Sequence, residues 1–172
     1  LDGLIIFSGF IAEDIGSDAV ARFVKKCGDL PIISLAMSFP NTPSLLVDNR
    51  SGTYDAISHL ISQHSLKKIA FVKGPEDHEE ATARFEGYRK ALKDNNIELD
   101  TSIVLPGHFS LWGGEEAVET LYDERDLWVE AFACADDETA IGVVKELSRR
   151  GIRVPEDVAV CGFDDEEYAE II

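Results

Sequence analysis

Short, almost purely apolar runs return along this chain at intervals that leave room for a helix between them, except where the proline-punctuated loop Phe39-Pro-Asn-Thr-Pro43 joins two of them. Leu4–Phe7, Pro31–Leu35, Ser44–Val47, Lys68–Val72, Ser102–Leu105, Ala131–Ala135 and Val158–Cys161 are the seven runs. Between them, apolar residues fall at helical spacing. Ile15, Ala19, Val20, Phe23, Val24 and Cys27 mark a helix from about Asp14, closed by Gly28-Asp29. Tyr54, Ile57, Leu60 and Ile61 mark one near Ser51–Gln63, with Asp48-Asn49 able to cap it. Phe85, Tyr88 and Leu92 mark the next, then Ala117, Val118 and Leu121 from about Gly114, then Ile141, Val144 and Leu147 after Asp136-Asp137. A strand with one wet face alternates polar and apolar residues, and these runs do not. Strands of this kind in alternation with helices specify an α/β fold with a parallel, doubly wound sheet.

The last strand sits in the most complete local pattern. Gly151 follows the basic end Lys145-Glu-Leu-Ser-Arg-Arg150 and suits the left-handed position past a helix C-terminus. Val154-Pro155-Glu156-Asp157 is a turn, because Pro155 cannot continue a helix. Val158–Cys161 reads as a strand covered on both faces, and Gly162-Phe163-Asp164-Asp165 then presents carboxylates at its C-terminal end. Ligands of open α/β sheets bind outside the carboxyl ends of the strands.

Parallel topology gathers four groups on that rim: Arg84, His108-Phe109 with Trp112, Asp136-Asp137, and Phe163-Asp164-Asp165. Carboxylate acceptors, a guanidinium fork and an aromatic face suit a polyhydroxylated small molecule. Each residue also has a structural reading. Arg84 near a helix start opposes the dipole, and a surface salt bridge to Asp77, Glu79 or Glu80 balances the ligand reading evenly. Asp136 is a ready N-cap, Asp137 a complement to the helix dipole, and Asp164 and Asp165 caps of a final helix. From spacing alone, capping outweighs ligand contact. Phe109 and Trp112 could be core.

Length and charge exclude several functions. A chain of 172 residues makes one domain or two small lobes, and 45% hydrophobic residues suffice for a core. A formal charge of −17 disfavours contact of this stretch with nucleic-acid phosphates or anionic membranes. No apolar run approaches a membrane span, and no basic-then-apolar pattern of the kind expected of a leader is seen. Cys27, Cys134 and Cys161 form an odd, sparse set without metal spacing, which reads as free thiols used as packing in a reducing cytoplasm. The paired aspartates could hold Mg²⁺ or Ca²⁺, but there is no phosphate-cradling glycine loop, no Gly-x-Ser-x-Gly elbow, and no metal spacing among His59, His64, His78 and His108. Glu76–Glu80 reads as a solvated acidic face. Neither catalysis, cofactor nor metal is therefore expected. An abrupt start in a strand pattern, and a stop at Tyr168-Ala-Glu-Ile-Ile172 without a closing element, suggest a piece of a longer protein.

Ile152-Arg-Val-Pro-Glu-Asp-Val-Ala-Val-Cys-Gly-Phe-Asp-Asp165 resembles the signature of the LacI/GalR family of bacterial transcription regulators, in their effector-binding domain. So do Val47-Asp-Asn-Arg-Ser-Gly52 with Ala56 and His59-Leu-Ile61, Lys68-Ile-Ala-Phe71 with Gly74, Arg84-Phe-Glu-Gly-Tyr88 with Ala91-Leu92, and Ala135-Asp-Asp137 with Ala140-Ile-Gly142. The resemblance implies a periplasmic-binding-protein-like type I fold of two Rossmann-like lobes, with residues 1–47 an incomplete N-terminal lobe and 48–172 the C-terminal lobe. It implies a small effector, sugar-like or purine-like, in the cleft between lobes. Its contacts would fall on Arg84, Phe109, Asp136 or Asp137, and Asp164, which tips the balance toward ligand binding for Arg84 and Asp164. It further implies a homodimer, DNA contact only through a helix-turn-helix outside this chain, and control by population shift. Two positions depart from the family pattern: Ser65-Leu66 replaces the usual Gly-His, and Asp136 stands where Asn is frequent. A sugar-binding protein of an ABC-type transport system is the alternative.

Overall fold

The computed structural model describes residues 2–167, with backbone alone at positions 13 and 14. The chain divides between Asp48 and Asn49 into two compact units.

In the first unit, β1 (Leu4–Phe7), β2 (Ile32–Leu35) and β3 (Ser44–Leu45) form a parallel sheet in that order, with Leu4 opposite Ile32 and Ser34 opposite Ser44. The expected helix after β1 is two: α1 (Ser8–Ile15) and α2 (Ser17–Lys26). Gly16 separates them at φ +82°, a conformation that side-chain-bearing residues rarely adopt. The expectation of doubly covered strands fails here. Ile6, Ile32 and Ser34 are buried, whereas Ile5 and Phe7 are 68% and 58% exposed and Ile33 is also exposed. Successive strand residues face opposite sides, so among the described residues of this unit only one side of the sheet has a cover. Of the expected α2 face, Val20 is buried and Phe23 exposed; Ile15, on α1, is exposed as well. Leu46 and Val47, expected in a strand, follow β3 as exposed coil.

The second unit fulfils the doubly wound pattern. It runs α3 (Asn49–His64), β4 (Ile69–Lys73), α4 (Glu79–Asp94), a 3-10 turn (Thr101–Ile103), β5 (Val104–Pro106), α5 (Leu111–Glu119), a π turn (Thr120–Glu124), β6 (Ala131–Cys134), α6 (Asp137–Arg149) and β7 (Ala159–Cys161). All four strands are parallel, in the order β5-β4-β6-β7. The pleat sorts their side chains. Phe71, Ala131 and Ala133 face Ile57, Leu60, Tyr88, Ala91 and Leu92 of α3 and α4. Val72, Phe132 and Cys134 face Val118, Leu121, Val143 and Leu147 on the α5 and α6 side. Burying a side chain such as Phe132 or Leu147 contributes about 1.5–3 kcal/mol. Tyr88 stacks on Phe71 at 4.8 Å between ring centroids, and its hydroxyl donates to the Ile69 carbonyl at 2.9 Å.

Several expected details shift. In α6, Ala140, Val143 and Leu147 are buried while Ile141 and Val144 are only half-buried, a rotation of the expected face. Gly142 allows this, since a Cβ there would lie 2.0 Å from the Leu111 carbonyl oxygen of α5. β7 begins at Ala159 and is half-buried rather than covered on both faces, because it lies at the sheet edge among the described residues. Gly151, at φ +75°, closes α6 as expected: its N–H donates to the Ser148 carbonyl, and that of Ile152 to Leu147. The expected caps Asp164 and Asp165 precede a helix that would lie outside the described residues, as does the stretch 168–172. Among the described residues no helix is long and apolar enough to cross a membrane.

Candidate functional site

The strand register sets the carboxyl ends of the second sheet side by side: Lys73 is opposite Pro106, Val72 opposite Cys134, and Ala133 opposite Cys161. The loops leaving these ends form one rim.

Arg84 reaches that rim from α4. His78 caps this helix, its Nδ1 accepting from the Ala81 N–H at 3.3 Å, so the helix starts at Glu79. Arg84 is therefore in the second turn rather than the first, and the unfavourable dipole argument does not apply. It does not pair with Asp77, Glu79 or Glu80. Its guanidinium, in a residue only 5% exposed, donates from Nε to Asn49 Oδ1 at 2.7 Å and from Nη1 to the Ala135 carbonyl at 2.6 Å. Nη1 and Nη2 further donate to Asp164 Oδ2 and Oδ1 at 3.3 and 3.0 Å. The Phe163 ring lies 4.0 Å from the guanidinium carbon and the Phe109 ring 5.7 Å from it. A delocalised cation between aromatic faces gains quadrupole attraction in addition to its hydrogen bonds.

Each partner is itself fixed. Asn49 donates from Nδ2 to Glu80 Oε1 at 3.0 Å, so α3 and α4 jointly aim its carbonyl oxygen at Arg84. Phe109 follows His108, and both hold left-handed backbone, at φ +51° and +62°. Non-glycine residues in this region carry strain that collects at functional sites. The Phe109 ring is seated against Gly74, where a Cβ would come within 2.4 Å of its Cε1. Its other neighbour is the His78 ring, edge-on at 5.0 Å. Asp164 has φ +105° and a side chain 39% exposed.

Asp136 and Asp137 divide their duties. Asp136 is the N-cap of α6, accepting from the Thr139 N–H at 3.3 Å, as spacing suggested. It is 7% exposed, and burial pushes its carboxyl above the usual range; hydrogen bonds from Thr139 oppose the rise and the charge of Asp164 adds to it. Asp137, equally buried, accepts from the Glu166 N–H at 2.9 Å and so ties down the loop that carries Asp164. The structure thus brings Arg84, Phe109, Asp136 and Asp164 together, with Asp137 as their brace. Trp112 is not core: it is 56% exposed and stacks on the exposed His108 at 5.2 Å. Asn49 and Phe163 complete the cluster. Asn49 reads in sequence only as a cap, and no local signal marks its contact with Arg84. His59, expected to be structural, is exposed, with its Nε2 3.1 Å from that of His64. Cys134 and Cys161 have thiols pushed up by burial, the latter to about 12. Among the described residues, no three His, Cys, Asp or Glu side chains converge as metal ligands would.

Residues 57–172 match the model of the periplasmic binding protein-like domain. The chain is 30% identical over 167 residues to the HTH-type transcriptional repressor PurR of Haemophilus influenzae, covering 96% of this chain and 47% of that protein. It is 31% identical over 176 residues to catabolite control protein A of Priestia megaterium, covering all of this chain and 50% of that one. The chain therefore spans about half the length of these relatives. Among solved structures, a LacI family transcriptional regulator from Enterococcus faecium with bound ribose superposes with a TM-score of 0.82 at 30% identity, over all of this chain and 62% of that one.

Proposed function

Since this chain belongs to the periplasmic binding protein-like domain family, in the form that LacI-family regulators carry, we propose that it is the effector-sensing part of a bacterial transcriptional regulator. In this reading, residues 1–47 belong to an N-terminal lobe and 48–172 form the C-terminal lobe. The effector is a sugar or related metabolite, such as a purine, and it contacts Arg84, Phe109, Asp136 and Asp164, with Asp137 holding the loop in place. Effector occupancy shifts the population between conformations of a homodimer, and a helix-turn-helix outside this chain carries the shift to DNA. The formal charge of −17 supports assigning DNA contact elsewhere. The protein works in the cytoplasm, and turnover chemistry plays no part.

The observation that carries the reading is the buried Arg84 fork, with the Phe163 and Phe109 rings beside it, at the open ends of four parallel strands. A buried ion pair kept for the fold alone could be replaced, both partners together, by apolar residues at little cost. The named relatives are regulators, which favours this reading over a transport protein of the same fold.

A thermal-shift screen of the intact protein against sugars and purines tests it. Ligand at a hundredfold over its dissociation constant adds about 2.7 kcal/mol of stability. One hit, lost in Arg84→Ala while that variant remains folded, supports the proposal. A panel without a hit, or a hit indifferent to Arg84, removes it.

A further inference from the structure

We infer that this rim selects an uncharged ligand bearing adjacent hydroxyls and discriminates against the phosphate esters and carboxylates of the same sugar. The inference rests on the effector-site reading above and narrows the class of ligand.

The first ground is the donor count of Arg84. A guanidinium has five N–H groups. Nε–H goes to Asn49, the two of Nη1 go to Ala135 and Asp164, and one of Nη2 goes to Asp164. A single Nη2 hydrogen is left. Arg recognises phosphate or carboxylate through two parallel N–H donors, and Asp164 occupies that pair. An anionic ligand must either displace Asp164 or settle for one donor.

Displacement is opposed by the charges around it. Asp136 stands beside Asp164 at the rim, and its carboxyl is raised partly by the Asp164 charge. Asp137 lies behind them, 8% exposed. Lys73, at the end of β4, is 3.5 Å from Glu76. An arriving phosphate faces three carboxylates for one guanidinium, in a setting where burial weakens screening.

Hydroxyls meet no such obstacle. A hydroxyl both donates and accepts, so one can take the remaining Nη2 hydrogen while it or its neighbour donates to Asp164 or Asp136. Two hydroxyls on adjacent ring carbons hold both contacts in fixed geometry. An acceptor-only oxyanion leaves the aspartates unanswered. The half-buried Phe109 ring beside the cluster offers an apolar face for a sugar's C–H side.

Isothermal titration of the intact protein decides the point, with D-ribose, D-glucose and cellobiose each run beside its phosphate ester. The expected result is binding of at least one free sugar, with its ester weaker by about tenfold or more. In Asp164→Asn, checked for native circular dichroism, the fork has lost its internal anion and the gap between sugar and ester narrows. An ester that binds as tightly as its free sugar overturns this inference and leaves effector sensing intact. So does a gap unmoved in both Asp164→Asn and Asp136→Asn, because the discrimination would then arise elsewhere. A panel in which neither sugar nor ester binds overturns the sugar-effector reading and this inference with it.

Discussion

Arg84 and Asp164 lie 80 positions apart in sequence and meet through two N–H···O contacts, at 3.0 and 3.3 Å. This pairing joins the middle of α4 to the loop after the last described strand, and the same guanidinium holds Asn49 and the Ala135 carbonyl. Arg84→Ala leaves three acceptors without their donor. The expected cost is about 2–4 kcal/mol, discounted because Asp164 is partly exposed. Arg84→Lys restores the charge but cannot address three directions at once, so it recovers only part of the loss. Urea midpoints at unchanged m-value measure both. A midpoint shift equivalent to less than about 0.5 kcal/mol for Arg84→Ala would contradict the account.

Gly74→Ala strikes the aromatic wall. The new methyl would meet Phe109 Cε1 at 2.4 Å and the Ala81 Cβ at 2.8 Å. The ring has to move off its seat, at a stability cost of about 1–3 kcal/mol. Effector response is expected to fall more steeply than in Trp112→Ala, whose side chain is exposed and stacks on His108. Equal loss in the two variants counts against Phe109 as a ligand wall.

Asp136 gives a pH signature. Its folded carboxyl titrates above the ordinary 3.8 because burial disfavours the charge. The penalty is absent below 3.8, develops as pH rises through the raised value, and persists at neutral pH. Asp136→Asn keeps an acceptor for the Thr139 N–H and Asn is an equally good cap. This variant is expected to match or exceed the parent in stability at neutral pH, and to lose that margin as pH falls toward 3.8. A margin that grows on acidification reverses the sign and refutes the argument.

The thiols offer a chemical test of the core. Cys134 and Cys161 both titrate well above the ordinary thiol range through burial of the thiol, although Cys161 as a residue is half-buried like Cys27. Thiolate is the alkylating form. Iodoacetamide at mildly alkaline pH is therefore expected to label Cys27 first, with the strand cysteines following only on unfolding. Peptide mass spectrometry reads the order directly.

The sheet of the second unit was legible because its strands are nearly uniform in apolar character, as Ile69–Val72 and Ala131–Cys134 show. In the first unit the same cue misled. Ile5, Phe7 and Ile33 are as apolar as core residues yet lie on a side that no other described residue covers, and hydropathy cannot report whether a neighbour exists. Strand-end position alone puts Arg84, Phe109, Asp136 and Asp164 on the rim, whereas the His78 cap that starts α4 at Glu79 has no apolar signal. Asn49 reads locally only as a cap, because its partners Glu80 and Arg84 come from the next helix and such pairing leaves no local trace. Trp112 was misjudged for a related reason: aromatic character alone does not say which way a side chain at a helix start turns.

Asp136 opens a helix as its N-cap and stands at the rim beside Asp164. A position under both demands draws from a short alphabet, essentially Asp, Asn, Ser and Thr, the residues that cap well and also carry a polar side chain. Exchange within that set alters the donor and acceptor character presented to a ligand without lengthening the side chain appreciably. Retuning at this wall can therefore proceed by exchanges as small as Asp for Asn, and bulky side chains that would redraw the pocket are shut out by the helix they would uncap.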